Sequence, residues 1–452
     1  MMGKMVDVDE LLAFADTIVK KAVSRGAEEA EAFVSSSTNV ECQIQGGILT
    51  TREGVDEGVG VRVVIGKSVG FASVSSLNEK QTDEVISKAL SLAKIAPPDT
   101  KFHQLPDPIK RGTRSGAFDE TIMTLDSAYL MEESGKIVQE AIQADKRVSY
   151  VYGFSGLDYG TFGVVNSRGV NTGDRGTGIG AGIFVKAENN GEVKIGYKYI
   201  VSREYRDFKG IGENLAKNVL SYFGSKPLGA TFEGTIVFEN KIVDELFSEF
   251  LGYSVSALSV QEKRSFFADK LGKQVASKDL TIHDNPQLHD GMKTSKCDHE
   301  GIDVLQKPII EEGVLKNYLY TSYTAYIDNV ESTGNAIRSG FQGLPKTGPT
   351  NLIIQGNKNL EEMISEVEKG VFIKEYVLGL GNSNIITGDF SIVAPTALLI
   401  EKGEIKHSLN TITIGGNFFQ TLKNIQAIGN DPILTQNGKI PTIAVKNLTI
   451  SG

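Results

Sequence analysis

Tryptophan is absent from this chain, cysteine occurs twice and histidine five times in 452 residues. Each scarcity excludes something. Cys42 and Cys297 lie far apart and form no disulfide framework, which fits a reducing compartment, so a cytoplasmic protein is expected. No window reaches the roughly 18 uninterrupted apolar residues of a membrane-spanning helix, and residues 1–10 carry no apolar run, so no membrane association is expected. A net charge of -9 supplies no basic footprint for a phosphate backbone, which disfavours nucleic-acid binding as the main task. The histidine gap matters most: none stands between His103 and His283.

Glycine, in contrast, is abundant, with 49 residues against an average near 7%. Many turns and hairpins follow, and therefore numerous strands. At roughly 150 residues per domain, the length predicts two or three domains. Residues 7–25 have the 3.6-residue apolar spacing of a helix, stopped at Gly26, and strand-like runs cover 30–36, 40–45, 58–65 and 68–73 before a helix at 77–94. A polar, proline-bearing crossing segment occupies 102–118. Beyond it the order returns: helix 124–144, strands within 148–201, helix 211–223. The repeated order predicts an N-terminal α/β domain, 1–225, duplicated as 1–98 and 120–225. The glycine-rich run 173–182 contains G-x-G-x-G but precedes a strand, so it reads as a closely packed strand and not as a phosphate cradle. The remaining domain, 226–452, reads as mainly antiparallel sheet around a buried helix at 241–261, whose face carries Val243, Leu246, Phe247, Phe250, Leu251, Val255 and Leu258. A further helix is expected over 417–427. The fold class is α+β.

A zinc hydrolase commonly draws two ligands from one helix, with a neighbouring carboxylate as general base. The buried helix offers neither, since positions 252–257 read Gly-Tyr-Ser-Val-Ser-Ala. The alternative metal ligands are Cys297 and His299, helped by His283, His289, Asp298 or Glu300, although their spacing matches no recognised motif. Gly252-Tyr253-Ser254 and Gly381-Asn382-Ser383 lack the second glycine of a serine-hydrolase elbow. Asn335 and Arg338, in a glycine-bearing loop, are candidates for a peptide carbonyl or carboxylate, because arginine presents a fork of donors.

A series of landmarks, taken in order, resembles the TldD/PmbA family, and within it the PmbA (TldE) branch. They are Lys263-Arg264-Ser265-Phe266, Leu271-Gly272-Lys273-Gln274-Val275, His283-Asp284-Asn285-Pro286 and Asp298-His299-Glu300-Gly301, then Glu312-Gly313-Val314-Leu315, Ser332-Thr333-Gly334-Asn335-Ala336, Gly415-Gly416-Asn417 and Gly429-Asn430-Asp431. The resemblance implies a duplicated N-terminal α/β part and a C-terminal, barrel-like antiparallel sheet. It also implies a two-subunit peptidase in which a TldD-like partner binds zinc through a His-Glu-x-x-x-His helix and a late cysteine. This chain departs at both places: the helix holds no histidine, and residues 411–423 hold no cysteine.

The expected function is thus a non-catalytic subunit without its own zinc, guiding unfolded peptides to a TldD-like partner, with a homodimer as the alternative assembly. Glu300, Asn335, Arg338, Gly415, Gly416 and Asn417 are the candidate contacts to peptide or partner. Two rivals stand beside this reading: an independent metallohydrolase using Cys297 and His299, and a regulator that binds a topoisomerase, as the family's description as gyrase modulators implies.

Overall fold

The computed structural model describes residues 5–114 and 116–452. Its first half is built on strand period. Along β1 (Glu29–Gln45) the side chains of Ala30, Ala32, Val34, Val40, Cys42 and Ile44 are buried under helices, while Glu31, Phe33, Ser35 and Ser37 point to the opposite face. β1 turns into β2 (Ile48–Ile65) at Gly46 and Gly47, whose φ of 60° and 86° suit a tight hairpin turn that other residues resist. β3 (Ser68–Val74) follows, and α1 (Val8–Ser24) and α2 (Glu79–Ile95) cover the apolar face, capped by Asp7 and Asn78.

The short α3 (Glu120–Met123) leads into α4 (Ser127–Ala144), β4 (Val148–Asn166), β5 (Asn171–Asn189), β6 (Glu192–Ser202) and α5 (Ile211–Leu220). All six strands form one antiparallel sheet in the order β3-β2-β1-β4-β5-β6, so the two helix-strand-helix sets meet through β1 and β4. The glycine-rich run lies inside β5, as its position before a strand predicts. The runs 30–36 and 40–45, expected as separate strands, form one strand of 17 residues, and β4 runs unbroken for 19. Polar residues such as Ser37 and Asp158 interrupt the apolar pattern there, yet they continue the same backbone ladder.

The second half holds two large sheets around a helix, together with a two-stranded ribbon of Ala336–Ile337 and Lys346–Thr347. β7 (Phe232–Phe238) sits within a sheet ordered Asp389–Ala394, Ile412–Asn417, Ile443–Ser451, β7, Lys369–Ile373, Ala397–Glu401, Glu404–Leu409. A smaller sheet contains Lys307–Glu311, Ile282–Asp284 and Leu352–Ile354. Pairing is antiparallel except between β7 and Lys369–Ile373 and between Leu352–Ile354 and Gly438–Ile440. Between the sheets lies α6 (Asn240–Ser254), whose Leu246, Phe247, Phe250 and Leu251 join the largest core cluster.

Two expected helices end early. The helix over 241–261 breaks after Val255 because Ser256 turns extended and pairs with Leu319: Leu319 N–H donates to Val255 O at 2.8 Å and Ala257 N–H to Leu319 O at 3.0 Å. A separate turn, α7 (Ala257–Gln261), follows, and Leu258 is 39% exposed instead of lying on the buried face. The helix expected over 417–427 spans Phe418–Lys423, after which Ile425–Ile428 joins the edge of Ile443–Ser451.

Candidate functional site

The face of the six-stranded sheet that carries no helix looks onto the loops of the second half, and a groove runs between them. One cavity of about 570 Å³ is lined by Ser35, Ser36 and Ser37 of β1, Asp158 and Phe162 of β4, and the segments around Thr294, His299 and Arg338. It continues past Asp158 and Met292 into a second cavity of about 420 Å³, and past Glu41 and Phe154 toward Tyr150 and Tyr152. Glycines leave the floor low. A methyl group on Gly178 would stand 2.6 Å from Asp158 Oδ1, and one on Gly176 would stand 2.6 Å from the Arg203 guanidinium. The glycine spacing of β5 therefore makes room for charged side chains of its neighbours.

Beneath the first cavity is a buried ionic network that joins the halves. Glu31 and Arg62 are cross-strand partners on β1 and β2, with Arg62 Nη2 donating to Glu31 Oε2 at 2.6 Å. From the second half, Arg338 pairs with the other Glu31 oxygen, and Glu300 Oε1 lies 3.5 Å from Arg62. Burial alone would raise the Glu31 carboxyl; Arg62 and Arg338 outweigh it and hold it below the ordinary carboxylate range. Arg338 also donates through Nε to His299 O at 3.0 Å and through Nη1 to Gly343 O at 3.1 Å.

The candidates from sequence separate into groups. Glu300 is 1% exposed, and its Oε2 accepts Ser322 N–H at 2.8 Å, so it is an internal anchor. Asn335 is equally buried; its amide donates to Asp284 Oδ2 at 2.9 Å and Gly348 O at 3.0 Å. Asp284 is itself held by Lys307 at 2.9 Å. Asn335 and Arg338 line the cavity with groups already committed inside the chain. Gly415, Gly416 and Asn417 lie on the larger sheet and line none of the cavities along the groove. Asn417 caps the helix that follows it, accepting from Phe419 N–H at 3.1 Å and Gln420 N–H at 3.2 Å.

Cys297 and His299 are both at the first cavity, but their chemistry suits zinc poorly. The Cys297 side chain is 1% exposed, it accepts from the Thr172 hydroxyl at 3.9 Å, and burial, then Asp298, pushes its thiol up, away from the thiolate a metal needs. His299 Nδ1 accepts Arg338 N–H at 2.8 Å, and the ring packs against Phe33 and Phe162. Burial, then Arg338, lowers its pKa to about 4, so the imidazole is neutral with its hydrogen on Nε2. Among the described residues, the one group of three potential ligands within 4.8 Å of one another is Glu204, His289 and Asp290, with the first two exposed, elsewhere on the surface. At the end of α6, Ser254 Oγ donates to Phe250 O at 2.7 Å, and Ser254 O accepts from the Ser265 hydroxyl at 2.6 Å. That donor set does not fit zinc either.

Sequence reasoning missed Glu31, Arg62, Asp158 and Arg203. A charged residue inside an apolar run, as with Arg62 in Gly60-Val61-Arg62-Val63-Val64, was the available signal for the first pair. Asp158 and Arg203 gave none, because their neighbours across the groove come from distant segments.

The sequence matches the description of the PmbA/TldA metallopeptidases in three parts: domain 1 over residues 30–95, the central domain over 120–222 and the C-terminal domain over 231–452. It is 28% identical to the metalloprotease PmbA of Escherichia coli O157:H7, over 98% of this chain and 96% of that one. Its fold is similar to the crystal structure of TldE from Thermococcus kodakarensis, with a TM-score of 0.88, 24% identity and coverage of 97% of this chain and 100% of that one. A structure described as a putative modulator of a DNA gyrase from Thermotoga maritima also gives 0.88, at 25% identity, covering 97% and 99%. No helix among the described residues is long and apolar enough to cross a membrane.

Proposed function

This chain belongs to the PmbA/TldD metallopeptidase family, and from that membership we propose that it is a subunit without its own hydrolytic zinc. In this reading it works in the cytoplasm beside a zinc-bearing TldD-like subunit and holds unfolded peptides in extended form for that partner to cleave. The observation that carries it is the contrast between two neighbouring places. The groove over β4, β5 and β6 is open and continuous, whereas the end of α6 presents glycine, tyrosine and serine in a family of metallopeptidases. β6 is an edge strand of its sheet, and an edge strand can hold an extended peptide by main-chain hydrogen bonds, which gives little sequence preference.

Reconstitution tests the reading. A TldD-like partner from the same cell, mixed with this chain, should cleave a denatured polypeptide faster than the partner alone, and the gain should survive Cys297→Ser. A partner equally active without this chain would refute the proposal. Loss of the gain on Cys297→Ser, in a folded variant, would favour a metal site at Cys297 and His299.

A further inference from the structure

The second cavity of the groove carries charge of one sign. Glu41, Asp158, Asp244 and Glu245 line it, with no lysine, arginine or histidine among the lining residues. Glu41 has a partner, Arg52 at 2.9 Å. Asp244, on α6, is 3% exposed; its Oδ2 accepts from the Tyr199 hydroxyl at 3.3 Å and the Asn437 amide at 3.2 Å. Its Oδ1 is buried with no hydrogen bond of good geometry, since the Thr435 hydroxyl beside the carboxyl, which works against burial to lower its pKa, is directed to Gly438 O at 3.1 Å. A buried carboxylate oxygen without a donor is costly until one arrives.

The nearby cations act on these acids only at a distance: Arg203 on Asp158, Lys293 on Asp244 and Lys241 on Glu245. Lys241 Nζ donates to Tyr199 O at 2.7 Å, and Lys293 Nζ donates to Asn437 Oδ1 at 2.8 Å. Burial, then Asp244, pushes the Glu245 carboxyl up to about 7, and burial raises that of Asp158 against the pull of Arg203.

The geometry selects the kind of cation. No three of the lining carboxylates, among the described residues, bring their oxygens within 4.8 Å of one another, so they do not converge on one small metal ion. Phe154, Tyr197 and Tyr199 line the same space; Lys241 Nζ stands 4.3 Å from the Tyr199 ring centroid and Tyr197 stacks on Phe184, whereas Phe154 is 51% exposed. Carboxylates spread beside an exposed aromatic ring suit an alkylammonium or guanidinium group, which takes charge-assisted hydrogen bonds at its tip and cation–π contact along its flank.

We propose that this cavity is a subsite for the basic side chain, lysine or arginine, of a peptide lying along the groove. The inference rests on the peptide-holding reading above and adds to it a preference that main-chain contacts cannot supply. The test is fluorescence anisotropy of the full chain with dye-labelled, N-acetylated extended peptides that differ at one central residue, lysine, arginine or norleucine. Lysine and arginine should bind about tenfold tighter than norleucine. Glu245→Gln and Asp158→Asn, both at positions open to the groove and each checked for folding by circular dichroism, should bring the lysine peptide down to the norleucine level. Equal binding of lysine and norleucine peptides would overturn the subsite and leave the peptide-holding reading standing. A lysine preference that persists in both variants would also overturn it. Binding that depends on a free amino terminus and ignores the central residue would assign the cavity to the peptide's end and overturn the side-chain proposal. If none of the peptides binds, both readings fail.

Discussion

Glu31 is the residue on which the two halves depend. It is 1% exposed and takes both its counter-charges from side chains that are also buried, Arg62 beside it and Arg338 from the other half. Removing one member of such a buried set leaves a guanidinium uncompensated, which costs about 3–5 kcal/mol. Glu31→Gln should therefore lower the denaturant midpoint strongly at pH 7. The pH dependence has a definite sign. The folded carboxyl titrates below its ordinary 4.5, so the folded state binds fewer protons than the unfolded state as pH falls. Its stabilisation is present above that value and disappears in acid. The difference between Glu31→Gln and the parent should hold from pH 7 down to about 5 and shrink only as urea melts are taken below 4.5; a difference that stays constant well below 4.5 would contradict the assignment. Nothing at the level of local spacing showed this. Arg338 was legible as a donor fork in a glycine-bearing loop, but its partner lies 307 residues away in sequence, and such distant pairings leave no local pattern.

At the scale of elements, the sequence is most readable where one face is apolar and the other solvated. α1, expected over 7–25, spans Val8–Ser24, and the strand-like runs 58–65 and 68–73 pair as neighbours within β2 and β3. The reading fails where a tertiary partner competes with local propensity. Leu319 draws Ser256 out of the helix, and Ile443–Ser451 draws Ile425–Ile428 into a strand. Close approach of helices is equally hidden, since it shows only as a glycine. A methyl group on Gly212 of α5 would lie 2.1 Å from Ile137 O and 3.0 Å from Ala141 N of α4. These are backbone atoms that cannot turn aside. Gly212→Ala should separate the two helices and destabilise the chain by about 1–3 kcal/mol, the range for overpacking, measured by urea unfolding. Gly47→Ala, with open space around it but φ of 86°, tests backbone strain without a clash. A neutral Gly212→Ala would mean that the packing of α5 on α4 is looser than described.

For the whole molecule, the six-stranded sheet serves two purposes at once. Its helix-covered face supplies two hydrophobic clusters, and its other face forms the groove under the loops of the second half. α6 serves core packing along Phe247, Phe250 and Leu251 and supplies the acidic lining at Asp244 and Glu245. The fold class was legible because glycine-punctuated strands dominate the chain. The groove was not, since it forms only when β4 and β5 are laid against segments more than a hundred residues further on, as Thr172 is against Cys297.

The most direct measurement is the zinc content of the purified full chain, taken together with its cleavage of an unfolded polypeptide with and without chelator. The account predicts far less than one zinc per chain and no chelator-sensitive cleavage in the absence of a partner. Stoichiometric zinc with cleavage by this chain alone, abolished by chelator, would contradict it.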